Sequence, residues 1–105
     1  MKGALAAVEI WVAEAGESAG RRRLSLVIGT PERSETGGLW LCRVALADLH
    51  RPQTLEGRDS LEALVRAVEQ ARSWLEALHG AGHALFRDRA GDERFALPER
   101  GRGFL

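Results

Sequence analysis

The sequence predicts an α+β domain: an antiparallel sheet, made of a three-strand meander and a C-terminal hairpin, with one long amphipathic helix packed on one face. Three observations carry this prediction. An aliphatic row alternates with a mixed one through residues 6–13 and 23–28, the period of strands with one buried face. A run with helical spacing follows over residues 59–79, behind a capping signal. Two short apolar segments within 83–98 then flank a polar centre that holds Gly91. The chain of 105 residues is therefore read as a single domain: meander 1–57, helix 59–79, hairpin 83–98 and tail 99–105.

In the first strand Val8, Ile10 and Val12 form one aliphatic row and Ala7, Glu9, Trp11 and Ala13 the other. "GESAG" is loop chemistry, and beyond it Leu24, Leu26 and Ile28 alternate with Arg23, Ser25 and Val27, giving the second strand. "TPERSETGG" is the most polar stretch and is read as a connection. The following apolar run to Leu49 places Trp40, Cys42, Val44 and Leu46 on one face of a third strand. Pro52 cannot donate to a ladder, so no more than a short edge strand around Gln53–Leu55 is expected there.

Asp59 followed by Glu62 has the form of a capping box. Behind it Leu61, Leu64, Val65, Val68, Ala71, Leu75 and Leu78 recur at helical spacing, while Glu62, Arg66, Glu69, Gln70, Ser73 and Glu76 fall on the other side. The predicted core is Val8, Ile10, Val12, Leu24, Leu26, Ile28, Trp40, Val44, Leu46, Leu61, Leu64, Val65, Val68, Leu75 and Leu78. His79 and His83 stand four apart, but Gly80 sits where a helix would stop in a left-handed residue and Gly82 adds a second break. His79 is thus read as a last-turn histidine rather than a metal ligand.

Composition bounds the function. Apolar residues make up 45 % and charged residues 29 %, an ordinary globular balance. Fifteen basic and fifteen acidic side chains cancel, so the chain lacks the overall positive field that gathers phosphate backbones, and no nucleic-acid partner is expected. Arg21–Arg23 read as a solvated edge opposite Glu14 and Glu17, and the tail's "RGRG" is too short to be informative. Glu9 and Glu14 interrupt the apolar start, so no signal peptide is expected, and no run is long enough to span a membrane. Cys42 is the single cysteine and reads as a buried thiol, which fits a reducing, cytoplasmic setting.

No catalytic constellation appears. Ser60 is explained by the helix start and Ser25 by its strand, while Ser34 lies in a loop with no local partner. "GTPERSETGG" has neither the lysine nor the spacing of a phosphate-binding loop. No catalytic, cofactor-binding or metal-ligating residue is therefore assigned, and no cofactor is expected.

The helix start "GRDSLEALVRAVEQARSWLE", after strand-rich sequence and before an aromatic hairpin ending "FALP", resembles an uncharacterised family of small bacterial proteins, a domain of unknown function. The resemblance spans roughly residues 22–98 and implies the same meander, helix and hairpin. It brings no functional residues with it.

The expected function is that of a non-catalytic protein-interaction module, of immunity or accessory type, that meets a second copy or another protein through the sheet face away from the helix. Alternation places Trp11, Val27, Leu39, Leu41 and Ala45 there, with Ala47, and only Glu9, Arg23, Ser25 and Arg43 interrupt that face with polar groups. Against this stands a tail that folds back over the same face with Phe95, Phe104 and Leu105. A second function is a small-molecule binder or small enzyme with a pocket between the helix end and the hairpin, near His79, His83 and Asp88.

Overall fold

A computed structural model describes residues 3–13, 21–47 and 49–96. Its elements are β1 (Ala4–Ala13), β2 (Arg22–Gly29), β3 (Glu32–Arg33), β4 (Trp40–Leu46), β5 (His50–Gly57), α1 (Ser60–Gly80) and β6 (Ala84–Phe86). They form one antiparallel sheet with the helix against one face, the predicted α+β class. β2 and β3 pair with successive parts of β4, so they act as one strand bent at Thr30–Pro31. Across the sheet the strands then lie β5, β4, β2 with β3, β1, β6. The helix leaves one edge at β5 and returns the chain to the other edge at β6.

The period-two rows hold. Ile10, Val12, Leu24, Leu26, Ile28, Cys42, Val44 and Leu46 are buried beneath the helix, with Val8 and Trp40 partly buried beside them. The Cys42 thiol donates to the Gly29 carbonyl oxygen at 3.3 Å, and burial pushes its pKa up.

β5 is longer than expected, eight residues that include Pro52. Two features accommodate the proline. β5 is an edge strand, so one side of it needs no donors. Its register also slips, with Val44 opposite Gln53 but Leu46 opposite His50, which leaves one extra residue in the Arg51–Pro52 stretch as a bulge.

The helix is turned relative to the predicted stripe. Its buried face is Ala63, Ala67, Ala71, Trp74 and Leu75, with Arg72 beside them. Leu64, Val68 and Leu78 pack only partly against the core, Val65 is half-buried, and Leu61 is 57 % exposed. Close approach explains the rotation: a Cβ on Gly57 would collide with the Ala63 backbone, so the helix rests on β5 through glycine and alanine. Trp74 fills the space that those alanines leave and stacks on His50, with ring centres 4.8 Å apart. Arg72 is buried along its stem and donates to Glu69 at 3.3 Å.

At the helix start the Asp59 carboxylate accepts from the Glu62 N–H at 2.7 Å, as the capping signal predicts. Glu62 in turn accepts from the Arg58 N–H at 2.8 Å, and these bonds with the Arg58 guanidinium hold its pKa low. At the other end the stop is at Gly82, not Gly80. Gly80 is the last helical residue, whereas Gly82 takes a φ of 95° while His83 N–H reaches Leu78 O at 3.1 Å and Gly82 N–H reaches His79 O at 3.0 Å.

The C-terminal hairpin is short. β6 lies beside β1 and returns through a turn with Gly91 at φ 79°, so that Phe86 bridges Arg94 and Phe95 N–H donates to Leu85 O at 3.0 Å. The Asp88 carboxylate closes that turn by accepting from Asp92 and Glu93 N–H, bonds that lower its pKa. Leu85 and Phe95 join the core under the helix. Glu14, Glu17, Phe104, Leu105 and the "RGRG" tail lie outside the described residues.

Candidate functional site

The sheet face away from the helix is built in rows that the strand register aligns. Ala7, Val27 and Ala45 form one row across β1, β2 and β4. Gly29, Arg43 and Thr54 form the next, because Arg43 pairs with Thr54 and a Cβ on Gly29 would sit 3.8 Å from that of Arg43. Glu32, Leu41 and Glu56 form the third, Leu41 pairing with both glutamates. Directly opposite residues share a face, so these nine side-chain positions point to the same side.

The face is hollowed on both sides of the Arg43 row. One hollow of about 230 Å³ is lined by Val27, Gly29, Ala45 and Pro52, and another of about 340 Å³ by Thr30, Glu32, Leu41 and Thr54. Glycine and threonine beside Arg43 leave its guanidinium standing clear, and it forms no ion pair with a described residue.

The other end of the face is occupied. Trp11 pairs with Phe86 across β1 and β6. The Arg21 and Arg94 guanidinia both lie over the Phe86 ring, 5.1 and 5.4 Å from its centre, and Arg89 lies 6.0 Å from the centre of the Trp11 ring. Arg23 and Glu9 close this region with an exposed ion pair at 3.0 Å.

Of the sequence-derived interface residues, the fold therefore brings Val27, Leu41 and Ala45 together, all half-buried. Leu39, 37 % exposed, continues the Leu41 side at the end of β4, and Trp11 is separated from them beneath the hairpin loop. Phe95, expected as a cover for this face, is instead buried on the helix side. Sequence reasoning read Arg43 as a polar interruption and did not find Gly29, Thr54, Glu32 or Glu56. Glu32 and Glu56 lie on strands hidden in a polar stretch and behind Pro52; the alternation of Thr54 and Glu56 with Leu55 was the available signal.

On the helix side a groove of about 400 Å³ runs between the end of α1 and the last described residues, with Arg72, Leu75, His79, Leu85 and Phe95 among its lining. His83 and Asp88 do not line it; His83 follows the helix stop, and Asp88 is committed to its turn. Among the described residues no three His, Cys, Asp or Glu side chains converge on a common point, and no helix is long and apolar enough to cross a membrane.

No protein-family model, curated protein or solved structure matches the chain.

Proposed function

We propose that this protein is a non-catalytic protein-interaction module, of immunity or accessory type, that associates through the open sheet face, most simply with a second copy of itself. The observation that carries this reading is the apolar row Ala7, Val27 and Ala45, with Leu41 beside it, on the end of the face that no described element covers. A solvated antiparallel sheet normally shows polar residues there. The buried Cys42 thiol fits a reducing cytoplasm, and the resemblance to an uncharacterised family of small bacterial proteins belongs to the same proposal.

Size exclusion with light scattering tests it. A wild type that dimerises with a dissociation constant below about 100 μM, and that Leu41→Lys converts to a folded monomer, supports the reading. A wild type that stays monomeric throughout, or a Leu41→Lys variant that still dimerises, refutes association through this face. A toxin gene beside this one would favour the immunity role.

The helix-end groove favours a second reading, a binder of small apolar molecules between Leu75, Leu85 and Phe95. A metabolite that raises the melting temperature by several degrees, with the effect lost in Leu85→Ala, distinguishes it.

A further inference from the structure

We propose that the second copy docks in one particular register, with Arg43 of each chain held between Glu32 and Glu56 of the other. This rests on the homodimer reading above. The three rows of the open face are chemically unlike: apolar at Val27 and Ala45, basic at Arg43, and acidic at Glu32 and Glu56 on either side of Leu41. A face of this kind is self-complementary under one two-fold operation.

Two sheets in face-to-face contact can be related by an axis that lies between them, directed either along the strands or across them. An axis along β4 sets Arg43 against Arg43, two cations with no described carboxylate paired to them. An axis across the strands, between the Leu41 and Arg43 rows, keeps β4 over β4 but reverses its direction. Arg43 then lies over Leu41 of the second copy. Glu32 and Glu56 of that copy stand one strand spacing to each side, about 4.8 Å away. A guanidinium has five N–H donors and can serve both carboxylates.

The same operation seats each Leu41 over the Arg43 row of the other copy, where Gly29 and Thr54 leave the hollows described above. It also lays Ala45 against Leu39, which joins the predicted apolar residues Leu39, Leu41 and Ala45 into one interface. Trp11 lies outside it, beneath Arg89.

Charge reversal tests the register. Arg43→Glu makes the three positions all acidic, and the double variant Glu32→Arg/Glu56→Arg makes them all basic; all three side chains are exposed, so the monomer fold is retained. Each variant alone is expected to dimerise at least about tenfold more weakly than the wild type. An equimolar mixture is expected to form a heterodimer at least as tight as the wild-type homodimer. Wild-type dimers weaken as NaCl rises from about 50 to 500 mM, and Arg43→Gln removes most of that dependence.

A wild-type dimer that either reversed chain leaves unchanged, or a mixture that fails to pair, overturns this register while leaving the homodimer reading intact. A wild type monomeric at about 100 μM overturns both.

Discussion

The rotation of the helix makes a prediction opposite to that of the leucine stripe. Ala67 is fully buried against the sheet, whereas Leu61 is 57 % exposed. Fully burying a leucine is worth about 1.5–3 kcal/mol, so Leu61→Ala, which removes less than half of that burial at nearly equal helix propensity, costs about 1 kcal/mol or less. Ala67→Leu forces three further carbons into a closed site and costs about 1–3 kcal/mol. Gly57→Ala acts on the same contact, because its new methyl must displace the Ala63 backbone, and it belongs in the same range or above. Urea unfolding followed by far-ultraviolet circular dichroism reads all three. With a slope of about 1–2 kcal/mol per M, Ala67→Leu lowers the midpoint by about 1 M while Leu61→Ala moves it by half that or less. A Leu61→Ala cost above about 2 kcal/mol together with an Ala67→Leu cost below about 0.5 kcal/mol would refute the observed face and restore the stripe.

Other consequences follow from the termini, the turn and the core. Gly80→Ala is expected to stabilise by about 0.5–1 kcal/mol, since it is helical with open space around a Cβ, whereas Gly82→Ala, at a φ of 95°, destabilises by about 1 kcal/mol; equal effects in thermal melts would contradict the helix stop at Gly82. Replacing both His79 and His83 by Gln changes stability by about 1 kcal/mol at most near neutral pH, and a collapsed fold or the loss of a co-purifying metal would overturn their reading as helix-end and loop residues. The lowered pKa values of Glu62 and Asp88 contribute stability that is complete above their unfolded values, near about 4.3 and 3.9, and is lost as pH falls through the lower folded ones. Acid unfolding is therefore less steep in Glu62→Gln and in Asp88→Asn, and unchanged profiles in both would remove the assignment. The buried Cys42 thiol, its pKa raised, is expected to react with a thiol reagent only at the rate of unfolding; fast labelling of native protein would show that the core beneath Gly29 opens independently.

The proposed interface was legible in part. Alternation alone sorted Val27, Leu41 and Ala45 onto the face opposite Leu26, Val44 and Leu46, because each side-chain direction in a strand follows from its neighbour's. The role proposed for Arg43 rests on its flanks. Gly29 and Thr54 reach it from separate strands, and Glu32 and Glu56 reach Leu41 in the same way.

What the sequence by itself determined is what neighbouring residues impose on one another: the strand rows of β1, β2 and β4, the Asp59 cap with Glu62, the existence of α1 and the burial of Cys42. Dihedral preferences, a period of two or 3.6, and a side chain reaching a backbone three residues on all act within a few residues. Only the tertiary structure decided which side of α1 is buried, because both its leucine flank and its alanine flank are apolar, and the choice was made by Gly57 meeting Ala63. It likewise decided that Pro52 could lie within an eight-residue strand, since only an edge position with a bulge relieves the missing donor. And it placed Arg21, Arg89 and Arg94 over Phe86 and Trp11, dividing one predicted apolar face into a covered end and an open one, because Arg21 reaches Phe86 and Arg89 reaches Trp11 from chain segments far apart in sequence.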